Sequence, residues 1–137
     1  MNRKEFIRTC SIVCAGGAAF SVLLQSCKTA FYAPNIISNN TIIIKKIYLA
    51  QNTSSVIKND KLRTPVYLTK INEGEYLAVL MYCTHKGCEL NVAGTNLVCP
   101  CHGAEFSTAG KVLSPPADKD LQRYSVTTDT ENIYIQL

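Results

Sequence analysis

Cys83-Thr84-His85-Lys86-Gly87-Cys88 and Cys99-Pro100-Cys101-His102-Gly103 hold both histidines of this 137-residue chain and four of its seven cysteines. All six residues fall within 20 positions. One histidine lies two residues from a cysteine and the other adjoins one, a grouping that implies shared chemistry. Each box supplies one imidazole and two thiols.

Three arrangements compete for these six side chains. Two structural disulfides would use the cysteines and leave both histidines as bystanders. A Cys2His2 zinc site, and with it a structural zinc-binding module, would use two of each residue type. It leaves two nearby cysteines unexplained. A [2Fe–2S] centre in which two histidines replace two cysteines on one iron uses every residue.

The boxes resemble those of the Rieske iron–sulfur family, in the disulfide-bearing form found in cytochrome bc and related complexes. The similarity continues downstream. Phe106-Ser107-Thr108-Ala109-Gly110-Lys111-Val112 looks like the family's strand–turn–strand. Ser114-Pro115-Pro116-Ala117 stands where the family has a proline loop over the cluster, and Leu121 to Val126 resembles the returning strand. Together these cover roughly Tyr76 to Leu137. The resemblance implies an all-β fold, with an antiparallel β-sandwich base and a small cluster-binding subdomain at about 81–117. It implies that Cys83 and Cys99 ligate the buried iron and His85 and His102 the outer iron. Cys88 and Cys101 would form a disulfide tying the loops together. Gly87 and Gly103 would allow tight backbone turns beside the cluster. The segment between the boxes is a few residues shorter than is usual in the family, which implies a smaller cap.

Charge gives the ligand set its physical sense. Four thiolates leave an oxidised [2Fe–2S] centre at −2, whereas two neutral imidazoles bring it close to zero. An electron is added more easily to a neutral centre, so potentials rise to roughly −150 to +300 mV. High-potential members of the family follow the second box with Ser-x-Tyr, whose hydroxyls donate to a bridging sulfide and a ligand sulfur. Here those positions hold Ala104 and Phe106. Both donors are absent, and the resemblance then implies a lowered potential suited to menaquinol or another low-potential donor. Phe106 also reads as a core aromatic, and the two roles are compatible.

Working outward, short runs rich in Ile, Val, Tyr and Thr predict antiparallel strands at 41–44, 47–50, 65–69, 75–82, 96–99, 121–128 and 132–137. Asn72-Glu73-Gly74 and Asp129-Thr130-Glu131-Asn132 read as hairpin turns. No window shows a helical period. Tyr48, Tyr67, Tyr76 and Tyr82 fall in strand-like runs as core or surface aromatics. Lys119 and Arg123 read as part of a solvated face.

The N-terminus reads as a targeting segment. Basic Arg3, Lys4 and Arg8 precede an apolar and small-residue run of 13 residues, Ile12 to Leu24. A membrane-spanning helix needs about 20, so the run has the length of a signal-peptide core. Leu24-Gln25-Ser26-Cys27 resembles a bacterial lipoprotein box, which would make Cys27 the lipidated first residue. Arg3-Lys4-Glu5-Phe6 also resembles a twin-arginine signal with Lys4 in place of the second arginine. Cys10 and Cys14 lie in the removed segment. The chain is thus expected to comprise a signal (1–27), a flexible tether (28–40) and a Rieske domain (41–137).

Composition narrows the function classes. The net charge is +4, yet residues 28–137 carry 11 basic and 9 acidic side chains. That balance argues against a nucleic-acid partner, which calls for a clustered basic face. Both histidines are already assigned, so a histidine-dependent hydrolase would have to consume a ligand. There is no glycine-rich phosphate loop. The expected protein is a membrane-tethered electron carrier of the bacterial envelope, facing the periplasm. Its redox partners would be a quinol-oxidising membrane complex or a cytochrome c-like acceptor. The alternative assignment is the Rieske small subunit of a periplasmic molybdenum enzyme similar to arsenite oxidase.

Overall fold

A computed structural model describes residues 30–137. The chain order is β1 (Ile36–Ser38), β2 (Thr41–Lys45), a 3-10 helix (Lys46–Leu49), β3 (Ser54–Ile57), β4 (Val66–Asn72), β5 (Glu75–Leu80), β6 (Asn91–Ala93), β7 (Asn96–Val98), β8 (Glu105–Ser107), β9 (Val112–Ser114), β10 (Arg123–Thr128) and β11 (Asn132–Gln136). All strand pairs are antiparallel. Seven strands form one sheet in the order β1-β2-β11-β10-β5-β4-β3, and β6-β7-β8-β9 form a second. The fold is all-β, a sandwich base carrying a small subdomain.

Strand β10 explains how one sheet makes a sandwich. Its first residues, Arg123 and Tyr124, pair with β5, and Ser125 to Thr128 pair with β11. The sheet changes partner along this strand, so its halves face each other. Ile42, Ile44, Ile133 and Ile135 of one half meet Ile57, Val66, Leu68 and Ala78 of the other in one buried core. Alternation along β2 and β11 puts every second residue inward, as a half-buried strand requires.

The middle layer is buried on both faces. In β3, β4 and β5, the neighbours of those inward residues turn the other way. Val56, Tyr67 and Val79 join Met81, Leu90, Leu97, Phe106, Ala117 and Leu121 in a second core beneath the small subdomain. The continuous apolar runs Val66-Tyr67-Leu68 and Ala78-Val79-Leu80 reflect this double burial. Cys83 and Cys99 lie in the same second core, so the candidate ligands are anchored in the packed base of the subdomain.

Two expectations fail. Residues 47–50 are not a strand. β2 ends where Lys45 pairs with Asn132, the first residue of β11. The Lys46 amide still donates to the Glu131 carbonyl at 2.8 Å, but no strand runs beside residues 47–50, and the chain closes on itself with the Ala50 amide donating to the Ile47 carbonyl. The 28–40 tether is also corrected from residue 30 onward. Ala33 is buried, its amide donates to Ser55 Oγ at 2.8 Å, and Phe31 accepts from the Val56 amide at 2.8 Å. Ile36–Ser38 then adds an edge strand. Low charge and asparagines suggested a spacer, but the interleaved Phe31, Ala33 and Ile37 pack on the base. The signal and Cys27 lie outside the described residues.

The Asp129–Asn132 turn closes the last hairpin. Asp129 accepts from the amides of Glu131 and Asn132 at 2.8 and 2.7 Å and from the Tyr134 hydroxyl at 2.6 Å. The Tyr134 hydroxyl and these amides hold its carboxyl down at about 2.

Candidate metal centre

The two boxes fold as two copies of one loop. In the first, the Gly87 amide donates to the Cys83 carbonyl at 2.8 Å and the Cys83 amide to the Cys88 carbonyl at 2.9 Å. In the second, the Gly103 amide donates to the Cys99 carbonyl at 3.0 Å and the Cys99 amide to the Ala104 carbonyl at 2.8 Å. Each loop turns through a left-handed glycine, Gly87 at φ 79° and Gly103 at φ 76°. A side chain there would be strained, which accounts for glycine at the same offset in both boxes.

Each loop directs two backbone amides at its first sulfur. His85 and Lys86 donate to Cys83, and Cys101 and His102 donate to Cys99. Burial pushes the Cys83 thiol up. Cys99 is equally buried, yet lies below the usual thiol range because the Cys83 thiol and the two amides donate to its sulfur. Two free, buried cysteines thus share hydrogen bonds at one point, in a frame suited to thiolate charge.

Above them the histidine rings meet edge to face, with centroids 5.0 Å apart. His102 is exposed and His85 half-buried. His85 Nδ1 is buried without a hydrogen-bond partner. An orphaned ring nitrogen carries a desolvation penalty that a metal bond would remove. Cys88 and Cys101 are joined by a disulfide, with Cα atoms 6.5 Å apart, which ties one loop to the other. The sulfurs of Cys88, Cys99 and Cys101 also lie within 4.8 Å of one another. Two of the three are spent on the S–S bond, so that trio is proximity and not a ligand set. Among the described residues, the cysteine and histidine side chains outside the disulfide are Cys83, His85, Cys99 and His102, the candidates to hold a metal group.

Contacts that sequence reading missed fasten the segment after the proline loop to the first box and to β9. Thr84 Oγ1 donates to the Lys119 carbonyl at 2.6 Å. Asp120 accepts from the Val112 amide at 3.0 Å and pairs with Lys111 at 2.5 Å. The Lys111 ammonium holds the Asp120 carboxyl below its ordinary range. Ala117 is buried against the ligand core. Thr84 lies inside the first box, but nothing in the sequence marks a carbonyl 35 residues away as its partner. Ala104 and Phe106 are fully buried in the core that holds Cys83 and Cys99. Lys119 and Arg123 are exposed.

Two buried thiols, two paired imidazoles and a disulfide between their loops define a mixed Cys/His iron–sulfur centre more specifically than a zinc clasp. The chain belongs to the Rieske [2Fe-2S] domain family, whose model matches residues 42–125. The cofactor is accordingly a [2Fe–2S] cluster, and the four free donors and the orphaned nitrogen fit it. The cytochrome b6-f complex iron-sulfur subunit of Synechococcus sp. (strain JA-3-3Ab) is 45% identical over 53 residues, covering 37% of this chain and 31% of that protein. The subunit of the same name from Chlorobaculum tepidum is 35% identical over 66 residues, covering 47% and 36%. The matched stretch is thus about a third of the length of these curated relatives. Among solved structures, the plasma membrane Rieske protein PetC3 from Synechocystis PCC 6803 superposes with a TM-score of 0.57 at 35% identity, covering 68% of this chain and 95% of that one. A chain of a hyperthermophilic respiratory Complex III shares the fold, with a TM-score of 0.54 at 19% identity and coverage of 96% and 99%.

Proposed function

We propose that this protein is a membrane-tethered Rieske electron carrier that accepts one electron at a time from a quinol in a respiratory chain. The observation that carries this reading is the pair of matched loops, which bury Cys83 and Cys99 and set the half-buried His85 against the exposed His102. In this reading Cys83 and Cys99 hold the inner iron, and His85 and His102 hold the outer one. When bound, the cluster supplies a one-electron acceptor whose uptake of charge is coupled to protonation of a ligand ring. The exposed His102 edge offers a docking hydroxyl a hydrogen-bond partner. The amides at each sulfur favour the more negative state. The proline loop, fastened by Thr84 and Asp120, limits access of water.

Names of relatives as cytochrome b6-f subunits, and of a similar structure as a plasma membrane protein, support a membrane redox partner. The Cys27 box supports a lipid anchor and a periplasm-facing location, with residues 1–27 as the signal. Among the described residues, no helix is long and apolar enough to cross a membrane. The test is rapid mixing of the purified, cluster-loaded protein with reduced menaquinone and ubiquinone analogues. Fast bleaching of the visible band by menaquinol is expected. Failure of both quinols, together with co-purification of a molybdopterin subunit from solubilised membranes, would overturn the reading.

The missing hydroxyls at Ala104 and Phe106 set a second expectation. Ala104→Ser with Phe106→Tyr should raise the midpoint potential. A donor that binds the reduced centre about 1.4 kcal/mol better contributes close to 60 mV for one electron. Protein-film voltammetry of wild type and double variant measures this. An unchanged or lowered potential would remove the tuning role and leave Phe106 a packing residue.

A further inference from the structure

We propose that Tyr82 is the positioning residue of the first ligand loop, its ring capping Gly87 and holding the His85 side of the centre closed. The inference rests on the iron–sulfur reading of the site and adds a residue to it. The two loops are backbone copies, so differences between them stand out. A Cβ built on Gly103 meets nothing within 4 Å. One built on Gly87 would collide with Tyr82 Oη and lie 2.6 Å from Cζ. The phenol end of Tyr82 therefore occupies the space that a side chain at Gly87 would fill. Glycine is required there twice, for its φ and for this approach.

The two loops also differ in how they are fastened. The second joins β7 to β8, within a four-stranded sheet, and Leu97 pairs with Phe106 behind it. The first has no flanking strand pair. It is closed by the isolated Tyr82–Glu89 bridge, with the Leu90 amide on the Met81 carbonyl at 3.1 Å. Tyr82 belongs to that short ladder and folds its side chain back over the loop the ladder closes. Lys86, at the apex, is exposed and gives no cover. Tyr82 is itself 46% exposed. Its ring is a lid with one face on the loop and the other in water. A rigid aromatic is suited to this, since it covers a large area with few rotatable bonds.

Removing the ring should have two effects. The loop bearing Cys83 and His85 would open more often, releasing iron faster. Water would also come nearer the centre. Because reduction takes the centre from near neutral to negative, better solvation favours the reduced form and the potential rises. Tyr82→Phe keeps the ring and should match wild type on both counts. Tyr82→Ala should lose its visible circular dichroism to a chelator about tenfold faster, the scale of an outer-shell change, with the midpoint potential of the intact fraction shifted upward. Tyr82→Leu keeps an apolar stem that falls short of Gly87. It should follow alanine and carries the test if alanine is not recovered.

A bleaching rate and potential equal to wild type in the alanine or leucine variant would overturn the proposal. So would a phenylalanine variant that behaves like alanine, since the hydroxyl and not the ring would then be responsible. A wild-type protein with no cluster spectrum would instead overturn the iron–sulfur reading, and that arm is scored before any variant.

Discussion

Cys99→Ser is expected to yield a colourless protein that retains its fold. Cys99 is 1% exposed, outside the disulfide, and receives the Cys83 thiol and two backbone amides on its sulfur. A serine hydroxyl is far less acidic than a thiol and is a poor ligand where thiolate is needed. Among the described residues, Cys83 is the one other free thiol, because the sulfurs of Cys88 and Cys101 are bonded to each other. Iron and acid-labile sulfide per chain should fall on the order of 100-fold, the upper end of what weakened metal sites lose. The sandwich core of Ile42, Ile57, Leu68 and Ile135 is a separate cluster, so far-UV circular dichroism should hardly change. A variant with the wild-type visible and paramagnetic resonance spectra would exclude Cys99 as a ligand.

How much of this was legible in the sequence depends on the range of the interactions. The candidate site was singled out because its residues are close in sequence. Each cysteine–histidine pair proposed as ligands sits two or three residues apart in one loop. Strands such as Thr41–Lys45 and Asn132–Gln136 were legible because one face is buried and the alternation survives in the residue types. Ser54–Ile57 was missed, since its residues are buried in succession against two different cores and no alternation results. Ile47 and Tyr48 read as a strand by propensity, but a strand exists only where a partner runs alongside, and β11 starts too late to provide one. Residues 30–40 were misread as a tether because their partners, Ser55 and Val56, are more than 20 positions away. The clamp of Thr84 on Lys119 was missed for the same reason. The cap of Tyr82 on Gly87 was missed although the two lie in one loop, because loop spacing does not give the direction of a side chain. Side-chain reach across a fold leaves no periodic trace.

Removing the disulfide should separate stability from ligation. Cys88→Ala with Cys101→Ala touches neither free thiol nor either imidazole. A cross-link spanning 13 residues restricts the unfolded chain by about 3 kcal/mol in the loop-entropy account. The folded subdomain loses more than that account contains, since the S–S bond also ties the His85 loop to the His102 loop. What remains on the first loop is the Thr84 bond to Lys119 and the ring of Tyr82, while β7 and β8 still hold the second. The double variant should therefore acquire its cluster when iron and sulfide are supplied under reducing conditions, with a visible spectrum like that of wild type. It should then melt at a lower temperature and lose the cluster in air much faster. Calorimetry and the decay of the visible band measure the two effects separately. If the double variant never acquires colour while Cys99→Ser does, the assignment of the four cysteines is reversed. If both remain colourless, the loops cannot present their ligands without the cross-link, and the disulfide is a condition of assembly as well as of persistence.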